Sequence, residues 1–287
     1  MVLSSVAFAG VEPVLDVAYG PAERQRLDLY PAPGGEGLSP VVVYFHGGGF
    51  ARGDKSGVSA KLVSRLHELG ISVVAVNYRF VKTDPLPAAM LDGARAIQHL
   101  RLHAETYELD GQRIAVMGSS AGAGIALWVA LHDDVADSLS DDPVLRKSSR
   151  VSGAWVKDAQ VSYDPEFWRG LGLGRLVDTR SWRYLVEQEG EELTDEVMRA
   201  RVAEASPITH VTADDPAVRL DYAAELSITN HTSPGAMLHH PSHGVALHQV
   251  CEAAGVSSEL YYKGGPVAEE AATSFLARVL EVGKVRD

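Results

Sequence analysis

The stretch "RIAVMGSSAGAGIALWVAL", residues 113–131, decides how this chain folds. Its first part, "IAVM", is an unbroken apolar run, the pattern of a strand buried on both faces. Its last part, "AGAGIALWVAL", reads as a buried helix. Between them "GSSAG" supplies small residues, which allow a turn too tight for larger side chains. A strand that runs straight into a helix through such a turn pushes its middle residue, Ser120, outward. The first N–H groups of the helix have no intrahelical partner and point at the same place, where they favour negative charge.

The same rhythm extends in both directions. "LDVAYG" and "QRLDLYPA" read as two early strands around a Gly-Pro turn. "PVVVYF" is a buried strand, "SAKLVSRLHELG" a helix stopped by glycine, and "ISVVAVNYRF" another buried strand. Residues 88–107 read as helical, and the helix after Ser120 extends through "HDDVAD". "VSGAWVKDAQ", "AVRLDYAAE" and "SSELYYKG" read as further buried strands, with helices over 241–255 and 272–283. Buried strands separated by helices predict an α/β fold, a mostly parallel central sheet with helices on both faces. Right-handed crossovers bring the C-terminal strand ends to one edge, where ligands bind. Residues 165–206 break the rhythm. They are charged and helix-forming, with too few apolar residues for a core of their own. They read as a helical insertion, a possible lid, within a single domain spanning 1–287.

Composition narrows the function. Hydrophobic residues make up 46% of the 287, enough for a large core, and the net charge is −12. An acidic surface repels phosphate backbones, so nucleic acid is not an expected partner. No apolar run reaches the ~18 residues of a membrane span. The N-terminal "MVLSSVAFAGVEPV" lacks a basic start and meets Glu12 early, so no signal peptide is expected and the default location is cytoplasmic. The single cysteine, Cys251, implies no disulfide and reads as a core residue.

"GSSAG" matches G-x-S-x-G in the strand–turn–helix context of a nucleophile elbow. "HGGGF", residues 46–50, follows the strand "VVVYF" and lets backbone N–H groups approach a ligand unobstructed. Gly48 and Gly49, joined by Ala121 after the serine, are the candidate oxyanion donors, each worth ~3 kcal/mol of barrier. His46 reads as ordering this loop. A phosphate-binding reading fails for want of a Walker lysine and of the G-x-G-x-x-G spacing.

Together "YGPAERQRLDLYPAP", "PVVVYFHGGGFARGDKS", "NYRF" and "GSSAG" resemble the α/β-hydrolase carboxylesterases of the hormone-sensitive-lipase and feruloyl-esterase-like type. The resemblance is close over residues 17–135 and looser after. It implies the α/β-hydrolase fold, a small-molecule ester substrate, a Ser-His-acid triad, and neither metal nor cofactor.

The pattern breaks at the base. The family order places the histidine after the last strand, where Val267 stands, and no histidine follows His248. "MLHHPSHG", residues 237–244, precedes a helix whose N-terminus belongs at the active edge, with Pro241 as a natural first helical residue. His239 is therefore the expected base, with His240 and then His243 as alternatives. Glu225, at the end of "AVRLDYAAE", is the expected acid and Asp164 its alternative. A metal at His239 and His243 would fit their spacing of four, but Pro241 interrupts the turn and no HExxH is present. Two functions compete: a serine carboxylesterase with a relocated base, and a ligand-binding protein on a hydrolase scaffold. The plant gibberellin receptor, which has lost the catalytic histidine, resembles the second.

Overall fold

The computed structural model describes residues 12–34, 37–178, 182–188, 190–229 and 232–283. Most of the N-terminal stretch just discussed lies outside the described residues. Eight strands form one sheet: β1 (Val14–Ala18), β2 (Arg26–Tyr30), β3 (Ser39–Phe45), β4 (Ser72–Val76), β5 (Leu109–Ser119), β6 (Gly153–Lys157), β7 (Ala217–Glu225) and β8 (Ser258–Lys263). Their order is β1-β2-β4-β3-β5-β6-β7-β8. β2 runs antiparallel to β1 and β4, and every other pairing is parallel. The helices are α1 (Ala60–His67), α2 (Ala88–Leu102), α3 (Ala121–Leu131), α4 (Pro165–Gly170), α5 (Gly174–Asp178), α6 (Asp195–Ala205), α7 (Pro234–Leu238), α8 (Ser242–Ala254) and α9 (Ala272–Val279).

The alternation of side chains along each strand divides the core in two. Val41, Val43 and Phe45 of β3 join Val74, Val76 and Val116 on one face, against α2 and α3. Val42, Val73, Ala115 and Met117 point to the other face, against Val63 and Leu66 of α1 and Phe275 and Leu276 of α9. Both faces are covered, so the central strands carry continuous apolar runs. All eleven residues of α3 are buried. Burying each large apolar side chain contributes about 1.5–3 kcal/mol, which fixes α3, and with it the turn before it, against the sheet.

The expected α/β architecture is the observed one, with differences in detail. β8 is an edge strand and only half-buried. Its apolar "LYY" run reads as two-sided burial, but Tyr261 turns outward under the Arg219 guanidinium, 4.6 Å from the ring. α3 stops at Leu131, where His132 takes extended backbone at ψ 147°. α2 ends at Leu102, and a 3-10 turn follows over Glu105–Tyr107. A short helix not expected from the sequence, α7, forms because Ser233 caps the Ala236 N–H and Pro234 takes the first position.

The 165–206 segment is helical, as α4, α5, a 3-10 turn (Trp182–Leu185) and α6. Leu185, Val186 and Ala205 reach the main core. Trp168, Leu173, Leu176 and Val177 pack with Met237 in a smaller cluster. Trp168 is fully buried and donates its indole N–H to the Ser162 carbonyl. The side chain of Trp182 lies outside the described residues, and Tyr184 is exposed. No helix among the described residues is long and apolar enough to cross a membrane.

Candidate active site

Ser120 joins β5 to α3 at φ 53°, ψ −120°. This is a sparsely populated conformation for a residue with a Cβ, and it costs of order 1–3 kcal/mol. The surroundings enforce it. A Cβ on Gly118 would collide with the Gly122 carbonyl, and one on Gly122 with the Phe45 carbonyl. The Ser120 N–H donates to the Lys157 carbonyl at the end of β6 (2.9 Å), and its carbonyl accepts from Gly124 (3.1 Å). The turn is thus pinned from both sides and its hydroxyl is directed off the sheet edge.

The glycine loop lies against this turn. A Cβ on Gly47 would stand 3.5 Å from the Ser120 Cβ. Gly48 and Gly49 have φ +131° and +62°, angles that a side chain at either position would strain. Neither N–H donates to another group among the described residues. Ala121 opens α3, so its N–H has no intrahelical acceptor. Among the described residues the three candidate donors therefore have their hydrogen-bonding capacity uncommitted. His46 stacks on Tyr78 at 4.4 Å, its Nδ1 donates to the Gly47 carbonyl, and its own carbonyl accepts from the Tyr78 hydroxyl. Burial pushes its pKa down. It braces the loop from behind.

The histidine cluster divides into three roles. His239 ends α7, and its Nε2 lies 2.9 Å from Ser120 Oγ. His240 turns inward. Its Nδ1 accepts from the Ser242 N–H, and burial lowers its pKa. His243 is completely buried 4.3 Å from the Trp168 ring, and both of its nitrogens lack hydrogen-bond partners among the described residues. Burial lowers its pKa to about 3, so it is a neutral packing residue.

The two candidate acids are elsewhere. Glu225 is paired with Lys263 at 2.9 Å, and its side chain is 55% exposed. The β7–β8 pairing shifts register between Tyr222 and Glu225, which sets Glu225 opposite Lys263. Asp164 caps α4 by accepting from the Glu166 N–H. The expectation that either carboxylate orients the base is not met. Among the described residues no carboxylate is hydrogen-bonded to His239. Val267, in the loop where the base was missing, is 87% exposed.

Gln160 escapes a reading of sequence motifs. Buried in the loop after β6, it donates from Nε2 to the carbonyls of Leu238 (2.9 Å) and Asp158 (3.1 Å). It ties the residue before His239 to the same connection that holds Ser120. A polar residue directly following a strand at the active edge was the available signal. Behind it, the Tyr222 hydroxyl donates to the Ala159 carbonyl, and its ring fills the space beside Gly244. Under the 165–206 segment lies a largely apolar cavity of about 580 Å³, lined by Phe167, Val177, Val186, Met198, Val202 and Ile208 among others.

A serine, an imidazole within hydrogen-bond reach, and uncommitted N–H groups in the adjoining glycine loop and at the helix start are parts that acyl transfer uses. The BD-FAE family model matches residues 27–222. The probable carboxylic ester hydrolase LipM of Mycobacterium tuberculosis is 29% identical over 206 residues, 70% of this chain and 45% of that protein. Esterase LipI of the same organism is 38% identical over 122 residues, 41% of this chain and 38% of that protein. The chain spans less than half the length of these curated relatives. Among solved structures, a truncated carbohydrate esterase from gut microbiota superposes with a TM-score of 0.72 at 18% identity, covering 94% of this chain and 97% of that one. At that identity the likeness establishes the α/β-hydrolase fold.

Proposed function

The chain belongs to the BD-FAE family, and from that membership and the Ser120–His239 contact we propose a serine carboxylesterase acting on small carboxylic esters, short-chain or aryl. Ser120 Oγ attacks the ester carbonyl while His239 Nε2 takes its proton. The N–H groups of Gly48, Gly49 and Ala121 hold the resulting oxyanion. His239 then returns the proton to the departing alcohol, leaving an acyl group on Ser120. Water, deprotonated by the same imidazole, releases the acid and restores the serine.

The observation that carries this reading is the 2.9 Å between Nε2 and Oγ across 119 residues of sequence. The names of the relatives support ester hydrolysis. The net charge of −12 supports a protein without a nucleic-acid partner, and the 165–206 helices are read as a lid within one domain. The reaction draws on no cofactor. With no carboxylate hydrogen-bonded to His239 among the described residues, we read the machinery as a dyad.

Turnover of p-nitrophenyl acetate tests it. Ser120→Ala and His239→Ala should each lower kcat by at least about 10³-fold, whereas Glu225→Gln should leave it within about twofold. A fluorophosphonate probe should label Ser120 in wild type. Failure to label, with turnover unaffected by Ser120→Ala, would discard the serine mechanism.

A further inference from the structure

A second cluster of chemistry-bearing side chains lies at the far end of α3. His132 caps the C-terminus of α3, Glu204 sits in the last turn of α6, and His210 ends the 3-10 turn Pro207–His210. One ligand atom from each lies within 4.8 Å of the other two, the only such group of three among the described residues. Twelve residues at about 1.5 Å rise each separate it from Ser120 by roughly 18 Å, so it is distinct from the esterase site.

The hydrogen bonds fix the tautomers. His132 Nδ1 is 2.8 Å from the Asp133 carbonyl, which only accepts, so Nδ1 carries a proton. A neutral His132 then turns the lone pair of Nε2 toward Glu204 Oε1, 3.2 Å away and itself an acceptor. Two acceptors at that distance require a proton or a cation between them. His210 is set the same way: its Nε2 donates to the Glu204 carbonyl at 2.7 Å, which leaves the lone pair on Nδ1. The same carbonyl accepts from the Trp128 indole N–H at 2.7 Å. The two imidazole rings lie 4.4 Å apart, and His132 stacks on buried Trp128 at 4.0 Å. Both rings are therefore oriented by outer hydrogen bonds, the arrangement that metal-ligating histidines show.

We propose that His132, Glu204 and His210 bind a zinc ion that clasps the helical insertion to α3. Zinc takes imidazole and carboxylate ligands at about 2.0–2.2 Å in a tetrahedron, whose ligand–ligand edges are then about 3.4 Å. The 3.2 Å between His132 Nε2 and Glu204 Oε1 is close to that edge. Water completes the fourth position. Two of the ligands flank the end of α6, so the ion would hold the insertion without entering the chemistry at Ser120.

The test is zinc chloride titrated into the chelator-stripped full chain at neutral pH, in competition with a chromogenic chelator. One saturable zinc per chain and a rise in Tm are expected. His132→Ala, His210→Ala and Glu204→Gln should each weaken binding by about tenfold or more, and His239→Ala should leave it unchanged. His132→Gln, close in size, guards against a folding defect, with ester turnover as its reporter of native structure. Cobalt(II) in place of zinc should give visible tetrahedral bands that vanish in the same variants. Absence of a saturable site in wild type, equal affinity in His132→Ala, or loss in His239→Ala would overturn the proposal and leave the His132–Glu204 contact as an ion pair alone.

Discussion

Single residues hold the proposed dyad, and they differ in how visible they were. Ser120, Gly118 and Gly122 are dictated by local sterics, and local sterics are written in residue size. His239 was legible through Pro241, which fixes where the following helix begins. The pairing of Glu225 with Lys263 was not legible, because it depends on how β7 meets β8 past Tyr222, and a register shift leaves no mark in residue type. Gln160 clamps the Leu238 carbonyl, next to the proposed base, and is expected to align it. Gln160→Leu should lower kcat by about 10- to 100-fold, the loss expected when a reacting group is misplaced by roughly 1 Å. KM should change little, and steady-state kinetics on p-nitrophenyl acetate separates the two. A change confined to KM would reassign Gln160 to substrate binding.

At the scale of elements, α8 carries a titration into the core. His243, in its first turn, has a pKa of about 3 in the folded chain against an ordinary 6.5, because burial penalises the cation. Between those values the unfolded chain binds the proton and the folded chain does not, so stability falls as pH drops below about 6.5 and is complete above it. His243→Leu should remove one proton from this dependence, flattening the decline by up to about 1.4 kcal/mol per pH unit. Urea unfolding at several pH values between 4 and 7 reads the difference, and parallel curves would contradict it. Elements were legible where pattern and environment agree, as in "VVVYF" and the buried α3. They were misread at borders. "HDDVAD" carries helix-compatible residues, yet the chain leaves α3 at His132, whose ring stacks back on Trp128. "LYY" gave β8 an inner position because the same apolar run suits an edge strand backed by an arginine.

For the whole molecule, order along the chain and order in space part company. The proposed nucleophile follows β5, and its proposed histidine follows β7, while the sheet's last strand and final helix supply neither. The parallel topology made this readable, since it delivers every strand's C-terminal end to one edge. On the proposed mechanism the loop after β8 has no part in the chemistry, and Val267 there is exposed. The only native thiol, Cys251, is buried, and that burial pushes its pKa up to about 11, which leaves it slow to alkylate. Val267→Cys should therefore take up a single maleimide dye, counted by mass spectrometry, with ester turnover kept within about twofold. Turnover lost on labelling would mean that the loop does serve the reaction. A base placed ahead of α8 would leave the protein with an addressable handle: a point on its surface where a fluorophore, a surface tether or a second module could be attached while turnover continues.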